Sequence, residues 1–272
     1  IVIKNLSDYE TNKDVNTPTN RILTSMLSRE RFLFLLRYGF AYVNRSVELE
    51  DGSKTTTLEK HVMRYQQLFA SLAIRNKLDK GVKSGIIWHT QGSGKSYSMV
   101  MFTRKVKRKV TGNFTFLIIT DREDLDTQIH KNFVRTEVIG VNDECQPKNG
   151  EQLRSFLQKN KEFVFTLIHK FRYDKTKKYP VLTERNDIFV LVDEAHRTQY
   201  KDLAENMRAA LPNANFIAFT GTPLLGTKRL TNQWFGDYVS EYNFAQSVED
   251  GSTVPLFYSR RVPEVGLTNN FL

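Results

Sequence analysis

An apolar run at residues 84–88 leads into His89-Thr90-Gln91-Gly92-Ser93-Gly94-Lys95-Ser96, a strand, a glycine loop and a helix start, and no other stretch constrains the fold as much. Glycines without a Cβ let consecutive backbone N–H groups and a helix N-terminus face one anion, so the arrangement suits phosphate oxygens. Gly92, Ser93 and Gly94 are expected to form the cradle. Lys95 is expected to reach the β- and γ-phosphates, and the Ser96 hydroxyl to hold magnesium. His89 departs from the usual G-x-x-x-x-G-K-[ST] pattern, standing where its first glycine belongs.

A second apolar run, at residues 188–192, ends in Asp193-Glu194-Ala195-His196-Arg197. An acidic pair at a strand end can cap a helix or shape a turn. Beside a phosphate loop it supplies instead a carboxylate for magnesium, Asp193, and a base that orients and deprotonates water, Glu194. ATP and Mg2+ are the cofactors this pairing predicts.

Further apolar runs at residues 114–120, 163–168 and 215–220 alternate with helix-like stretches such as 122–134 and 151–158. That alternation predicts an α/β fold with a doubly wound, mostly parallel sheet. Ligands of such sheets bind outside the carboxyl ends of the strands, which is where residues 92–96, Asp193 and Thr220 fall. Upstream, residues 60–80 carry an apolar stripe at helical spacing that ends at Gly81. Residues 19–38 read as one or two helices, and strands are expected near 40–43 and 55–58, on either side of Asp51-Gly52. The polar residues 1–18 read as a linker.

With 272 residues the chain has room for one large domain, or one domain with attachments. Forty Lys and Arg against thirty Asp and Glu give a net charge of +10, the balance of a protein that meets a polyanion. The excess gathers at Arg104, Lys105, Lys107, Arg108 and Lys109, on the helix after the glycine loop, and at Lys175, Lys177 and Lys178. Each cluster suits either a nucleic-acid contact or a solvated face. The single cysteine, Cys145, excludes an internal disulfide and fits a reducing cytoplasm. No run approaches the roughly 18 to 20 apolar residues of a membrane span, and no export signal opens the chain. A start at Ile1 rather than methionine reads as a piece of something longer.

These motifs resemble a superfamily 2 helicase lobe of the P-loop, RecA-like kind, and more narrowly the motor (R, HsdR) subunit of type I restriction enzymes. Arg64-Tyr65-Gln66-Gln67 resembles the adenine-recognising glutamine motif, with Gln67 the first choice and Gln66 next. Residues 117–125 with Gln128 resemble the motif that follows a core strand, and residues 165–171 a DNA-contacting segment. Asp193-Glu194-Ala195-His196-Arg197 matches the D-E-A-H box, and Phe219-Thr220-Gly221-Thr222-Pro223 the motif that relays hydrolysis between ATP and DNA sites.

The resemblance implies catalytic roles for Lys95, Asp193, Glu194 and His196, and coupling roles for Thr220, Gly221 and Thr222. It places Arg122, Thr166 and His169 toward DNA. It further implies a translocase working on duplex DNA with modification and specificity subunits. Residues 1–57 become an extension after a nuclease domain, 58–250 the first motor lobe, and 251–272 a connector toward a second lobe. No nuclease-type acidic cluster lies in residues 1–57. The second lobe's arginine finger is not in this sequence, and such a finger is worth roughly 10³ to 10⁵ in turnover. The chain is therefore expected to bind nucleotide but hydrolyse it poorly. Alternatives are an RNA or repair helicase lobe, and a docking module with a vestigial loop.

Overall fold

In a computed structural model of the chain, the structure describes residues 26–109, 111–173, 179–194, 200–223, 230–255 and 257. Its first helix, α1 (Arg29–Tyr38), leads into an antiparallel hairpin of β1 (Phe40–Glu48) and β2 (Lys54–Val62). The turn holds Gly52 at a φ of +78°, and the Asp51 carboxylate accepts bonds from both the backbone and the hydroxyl of Ser53. Gly52 tolerates that angle because it lacks a Cβ. The extension, expected to be mainly helical, thus carries one described helix and a two-stranded ribbon. Its second strand runs straight through residue 58.

Helix α2 (Tyr65–Asp79) starts five residues later than its apolar stripe suggests, because Lys60, His61 and Val62 pair with Tyr42, Ala41 and Phe40 of β1. Ladder hydrogen bonds outweigh helical spacing there. The start is then enforced locally. The Gln67 amide oxygen accepts from the Arg64 N–H at 2.8 Å, satisfying a donor that no preceding turn can reach.

The remaining elements alternate: β3 (Ser84–His89), α3 (Lys95–Lys109), β4 (Thr115–Thr120), α4 (Glu123–Arg135), α5 (Gly150–Gln158), β5 (Phe163–Leu167), β6 (Ile188–Asp193), α6 (Tyr200–Ala210), β7 (Asn215–Thr220), α7 (Leu230–Phe235), β8 (Tyr238–Tyr242) and α8 (Phe244–Glu249). The six later strands form one sheet in the order β5-β4-β6-β7-β3-β8, with every pairing parallel. Strands β4, β5, β6 and β7 are buried along their full lengths, as parallel strands covered on both faces must be.

Side-chain alternation divides the core between the two faces. Leu117, Ile119, Val190, Val192 and Phe216 pack with α5, α6 and α7 on one side. Phe116, Ile118, Leu191, Ile217 and Phe219 pack with α2, α3 and α4 on the other. Acidic Glu123, Asp124 and Asp126 fill the first turn of α4, where the helix dipole favours negative charge, and Asn149 caps α5 by accepting from the Gln152 N–H at 2.8 Å.

The arm formed by α1 and the hairpin docks on α2 and α3 through Phe34, Leu35, Tyr38, Ala41, Met63, Leu68 and Met101. Around that apolar seam, residues of the basic cluster on α3 find partners on neighbouring elements. Arg108 donates to the Arg37 carbonyl at 2.6 Å, at the last turn of α1, where exposed carbonyls attract a cation. Arg104 donates to the Phe40 carbonyl, and Lys107 pairs with Glu162 at 2.6 Å. Lys105 is buried, donates to the Ser71 carbonyl at 3.2 Å and stands 4.5 Å from the Phe34 ring centre. Arg104 and Lys105 thus serve the docking of the arm, while Lys107, Arg108 and Lys109 stay exposed, the first two with partners at the surface. The second basic cluster, Lys175, Lys177 and Lys178, lies outside the described residues.

Burial lowers the Lys105 ammonium to about 8, with Arg75 and Lys109 adding to the effect. An unfolded lysine keeps its proton to about pH 10, so between these values the unfolded chain binds more protons and stability rises with pH. Lys105→Met is expected to remove that rise. Urea unfolding of both proteins from about pH 7 to about pH 10 checks it, and parallel curves would contradict the assignment.

Candidate active site

Three parallel strands, β3, β7 and β6, end beside one another, and the loops leaving their carboxyl ends carry the chemistry. After β3, Gly92 and Gly94 take φ values of +76° and +85°, which only glycine adopts without strain. The Ser93 hydroxyl donates to the Thr90 carbonyl at 2.6 Å and braces the loop between them. A Cβ on Gly94 would stand 2.6 Å from Gln67 Nε2, because that amide donates to the Gly94 carbonyl at 2.9 Å.

Lys95 opens α3 with its side chain folded back over the loop. Its ammonium donates to the carbonyls of His89 at 3.2 Å and Thr90 at 3.4 Å, and lies 3.9 Å from Glu194 Oε1. Both charged partners are about nine-tenths buried. From β7, the backbone of Gly221 approaches the same point. A Cβ there would meet the Gln91 nitrogen at 3.3 Å and Lys95 Nζ at 3.5 Å, and the Gly221 carbonyl accepts from Trp88 Nε1 at 3.2 Å.

At the end of β6, Glu194 sits at a φ of +52°, an uncommon value for a residue with a side chain. That turn brings its N–H to Asp193 Oδ1 at 3.1 Å. Burial first, and adjacent Glu194 next, raise the Asp193 carboxyl to about 6 against the opposing charge of Lys95. Among the described residues, the Asp193 and Glu194 carboxylates and the Lys95 ammonium gather beside the glycine loop. An acidic residue with a nearby hydroxyl, Asp193 with Ser96, suits a divalent cation, and the Lys95 amine, held mainly by carbonyls, suits a phosphate oxygen.

Residues 66–272 match the family model described as SWI2/SNF2 ATPase. The chain belongs to this family. It is 37% identical over 238 residues to the type I restriction enzyme HindI endonuclease subunit of Haemophilus influenzae, covering 80% of this chain and 23% of that protein. It is 34% identical over 229 residues to a Methanocaldococcus jannaschii protein named as the MjaIXP endonuclease subunit of a type I restriction enzyme, covering 79% and 21%. The chain thus spans under a quarter of the length of these relatives. The solved structure of the ATP-dependent Type ISP restriction-modification enzyme LlaBIII bound to DNA superposes with a TM-score of 0.53 at 16% identity, over 72% of this chain and 16% of that one, a likeness of fold. As a SWI2/SNF2 ATPase the chain belongs to a family of nucleotide-using enzymes, and no helix among the described residues is long and apolar enough to cross a membrane.

Within this ATPase lobe the structure brings together Lys95, Glu194, Asp193 and Gly221. His196 lies outside the described residues. Thr220 is fully buried and its hydroxyl accepts from the Thr222 N–H at 3.2 Å, closing a tight turn that holds Gly221 against the phosphate loop. Gln67 is buried rather than solvent-facing, and its amide binds the loop and its own helix start.

Arg122 and His169, expected to face DNA, are exposed just past the ends of the paired strands β4 and β5, with Arg122 in a surface ion pair with Asp124. Thr166 differs from its expected position. It is 1% exposed inside β5, a strand buried on both faces, so it is not a surface contact. Sequence reasoning gave no role to Asp121, whose charge helps to raise the Asp193 carboxyl. Its place after a core strand, beside Arg122, was the available signal.

A folded Asp193 carboxyl at about 6 against 3.8 unfolded means that the folded chain binds more protons between these values, so stability falls as pH rises through them. Asp193→Asn is expected to recover up to about 3 kcal/mol above roughly pH 6.5 and nothing below roughly pH 4. Thermal or urea unfolding measures this directly. A variant no more stable than the parent at neutral pH would show that the buried charge is already compensated.

Proposed function

We propose that the chain is the ATP-binding first motor lobe of the restriction subunit of a type I restriction-modification enzyme, coupling ATP hydrolysis to translocation of duplex DNA before cleavage. The observation that carries the nucleotide part is the burial together of one ammonium, Lys95, and two adjacent carboxylates, Asp193 and Glu194, beside a glycine loop. The restriction part rests on likeness to the two endonuclease subunits.

In this reading the loop N–H groups of residues 92–96 receive the phosphates. The Lys95 ammonium exchanges its bonds to the His89 and Thr90 carbonyls for the β- and γ-oxygens. Ser96 and Asp193 hold magnesium, which when bound neutralises charge on those oxygens. Glu194 orients and deprotonates the attacking water. Gln67 faces adenine, or Gln66 does, whose buried amide oxygen has no hydrogen-bond partner. His196, Thr220, Gly221 and Thr222 relay the phosphate state, and Arg122 and His169 face DNA.

Residues 58–250 form the motor lobe, with an extension before it and a connector at 251–272. Cleavage is assigned to no residue of this chain. Turnover requires an arginine finger from a second lobe, so the chain alone binds nucleotide and hydrolyses it slowly. The partners are duplex DNA with modification and specificity subunits, in the cytoplasm.

Isothermal titration of ATP and magnesium is expected to give a binding heat that Lys95→Ala largely abolishes. Equal heats in the two proteins would remove the nucleotide reading. Duplex DNA is expected to bind with log K falling against log salt by about 0.9 per neutralised phosphate. A flat salt response, or a preference for RNA over duplex DNA, would remove the translocase reading while leaving the nucleotide site intact.

A further inference from the structure

Outside the phosphate site, a polar cluster joins elements that lie far apart in sequence. Asp250, just after α8, accepts hydrogen bonds on Oδ2 from the hydroxyls of Tyr65 and Tyr242, the latter at 2.9 Å. Its neighbour Ser252 accepts from Arg64. The two tyrosine rings meet edge-on at 5.9 Å and are buried with Phe69. Arg64 and Tyr65 form the first turn of α2, whose next two residues hold the phosphate loop: Gln66 faces the Ser93 carbonyl at 3.5 Å and Gln67 donates to the Gly94 carbonyl.

The third side of the triangle runs from the loop back to β8. His89, in place of the expected glycine, is fully buried, is hydrogen-bonded through Nε2 to the Ser240 hydroxyl at 2.9 Å, and lies edge-on to Tyr242. The Thr90 N–H donates to the Tyr242 carbonyl at 2.9 Å. Phosphate loop, α2 start and the 238–252 segment are therefore mutually bonded, and Asp250 is the point where the segment is pinned to α2.

We infer that Asp250 is a positioning residue through which nucleotide occupancy of the phosphate loop controls how tightly the 238–252 segment is held to α2. The inference rests on the nucleotide reading above. Any shift of the Ser93 and Gly94 carbonyls on binding is felt at Gln66 and Gln67, one turn from the Tyr65 hydroxyl that Asp250 holds. Coupling of two sites is reciprocal, so a latch that nucleotide tightens must in turn tighten nucleotide. Asp250 makes no contact with the phosphate loop itself, which separates it from the residues that bind or react.

The test is hydrogen exchange of residues 243–253 with and without a non-hydrolysable ATP analogue and magnesium, alongside calorimetric affinities, in the full chain. In the parent the analogue is expected to slow exchange there about tenfold. Asp250→Ala is expected to lose that slowing and to weaken analogue binding about five- to tenfold. Asp250→Asn, which keeps an acceptor oxygen, is expected to recover most of both. Tyr65→Phe, which removes one hydroxyl and leaves the ring packed, gives the same pattern more weakly and stands in should Asp250→Ala not fold. Absence of analogue binding in the parent removes the nucleotide reading and the latch with it. Analogue binding without slowed exchange overturns the latch alone. A lower melting temperature in Asp250→Ala with unchanged analogue affinity and slowing marks a merely structural contact, and also overturns it.

Discussion

The Lys95 ammonium, withdrawn from water among backbone carbonyls and a carboxylate, is the interaction on which the site depends. A buried charge persists only where fixed dipoles or opposite charges compensate it. Compensation here comes from the ends of β3 and β6, with the β7 loop crowding against it, and these strands are held side by side by the parallel ladder. Because a parallel sheet directs all its carboxyl ends to one edge, glycine loop, acidic pair and threonine turn converge without any of them being near the others in sequence. The apolar layers on both faces then keep that edge rigid.

Electrostatics of the same kind give part of the basic excess a structural use. A balance of +10 invites a polyanion, yet Arg104, Lys105, Lys107 and Arg108 are used to fasten the arm and the neighbouring helix and strand ends to the lobe. Long side chains lay their stems on apolar surface and cap carbonyls that a short helix leaves unsatisfied. Asp193 and Glu194 are buried beside the Lys95 ammonium, and a carboxyl raised by burial and by its acidic neighbour is a mark of a functional site.

Most of the sheet was legible in the sequence because each strand is a short apolar run bounded by a turn or charge, and β7 begins and ends where its run does. Misplacements have definite causes. Helical spacing carried α2 back to Lys60, where cross-strand pairing with β1 wins. Thr166 lies in a motif that suggests DNA, but it stands within β5, where packed layers on both faces bury every position. Gln67 was legible as a special residue, though its grip on Gly94 was not, since that bond joins residues 27 apart.

By itself the sequence determined the chemistry: a glycine loop with Lys95 and Ser96, an acidic pair after a strand, and the alternation that makes a parallel sheet. These are local patterns, readable because backbone conformation and side-chain parity follow from near neighbours. Only the tertiary structure decided which basic residues face solvent, that Glu194 and Gly221 meet at Lys95, and that Asp250 ties the far end of the lobe to α2. Such contacts are set by packing between distant segments, where the outcome depends on which buried polar groups can satisfy one another, and no spacing along the chain encodes that.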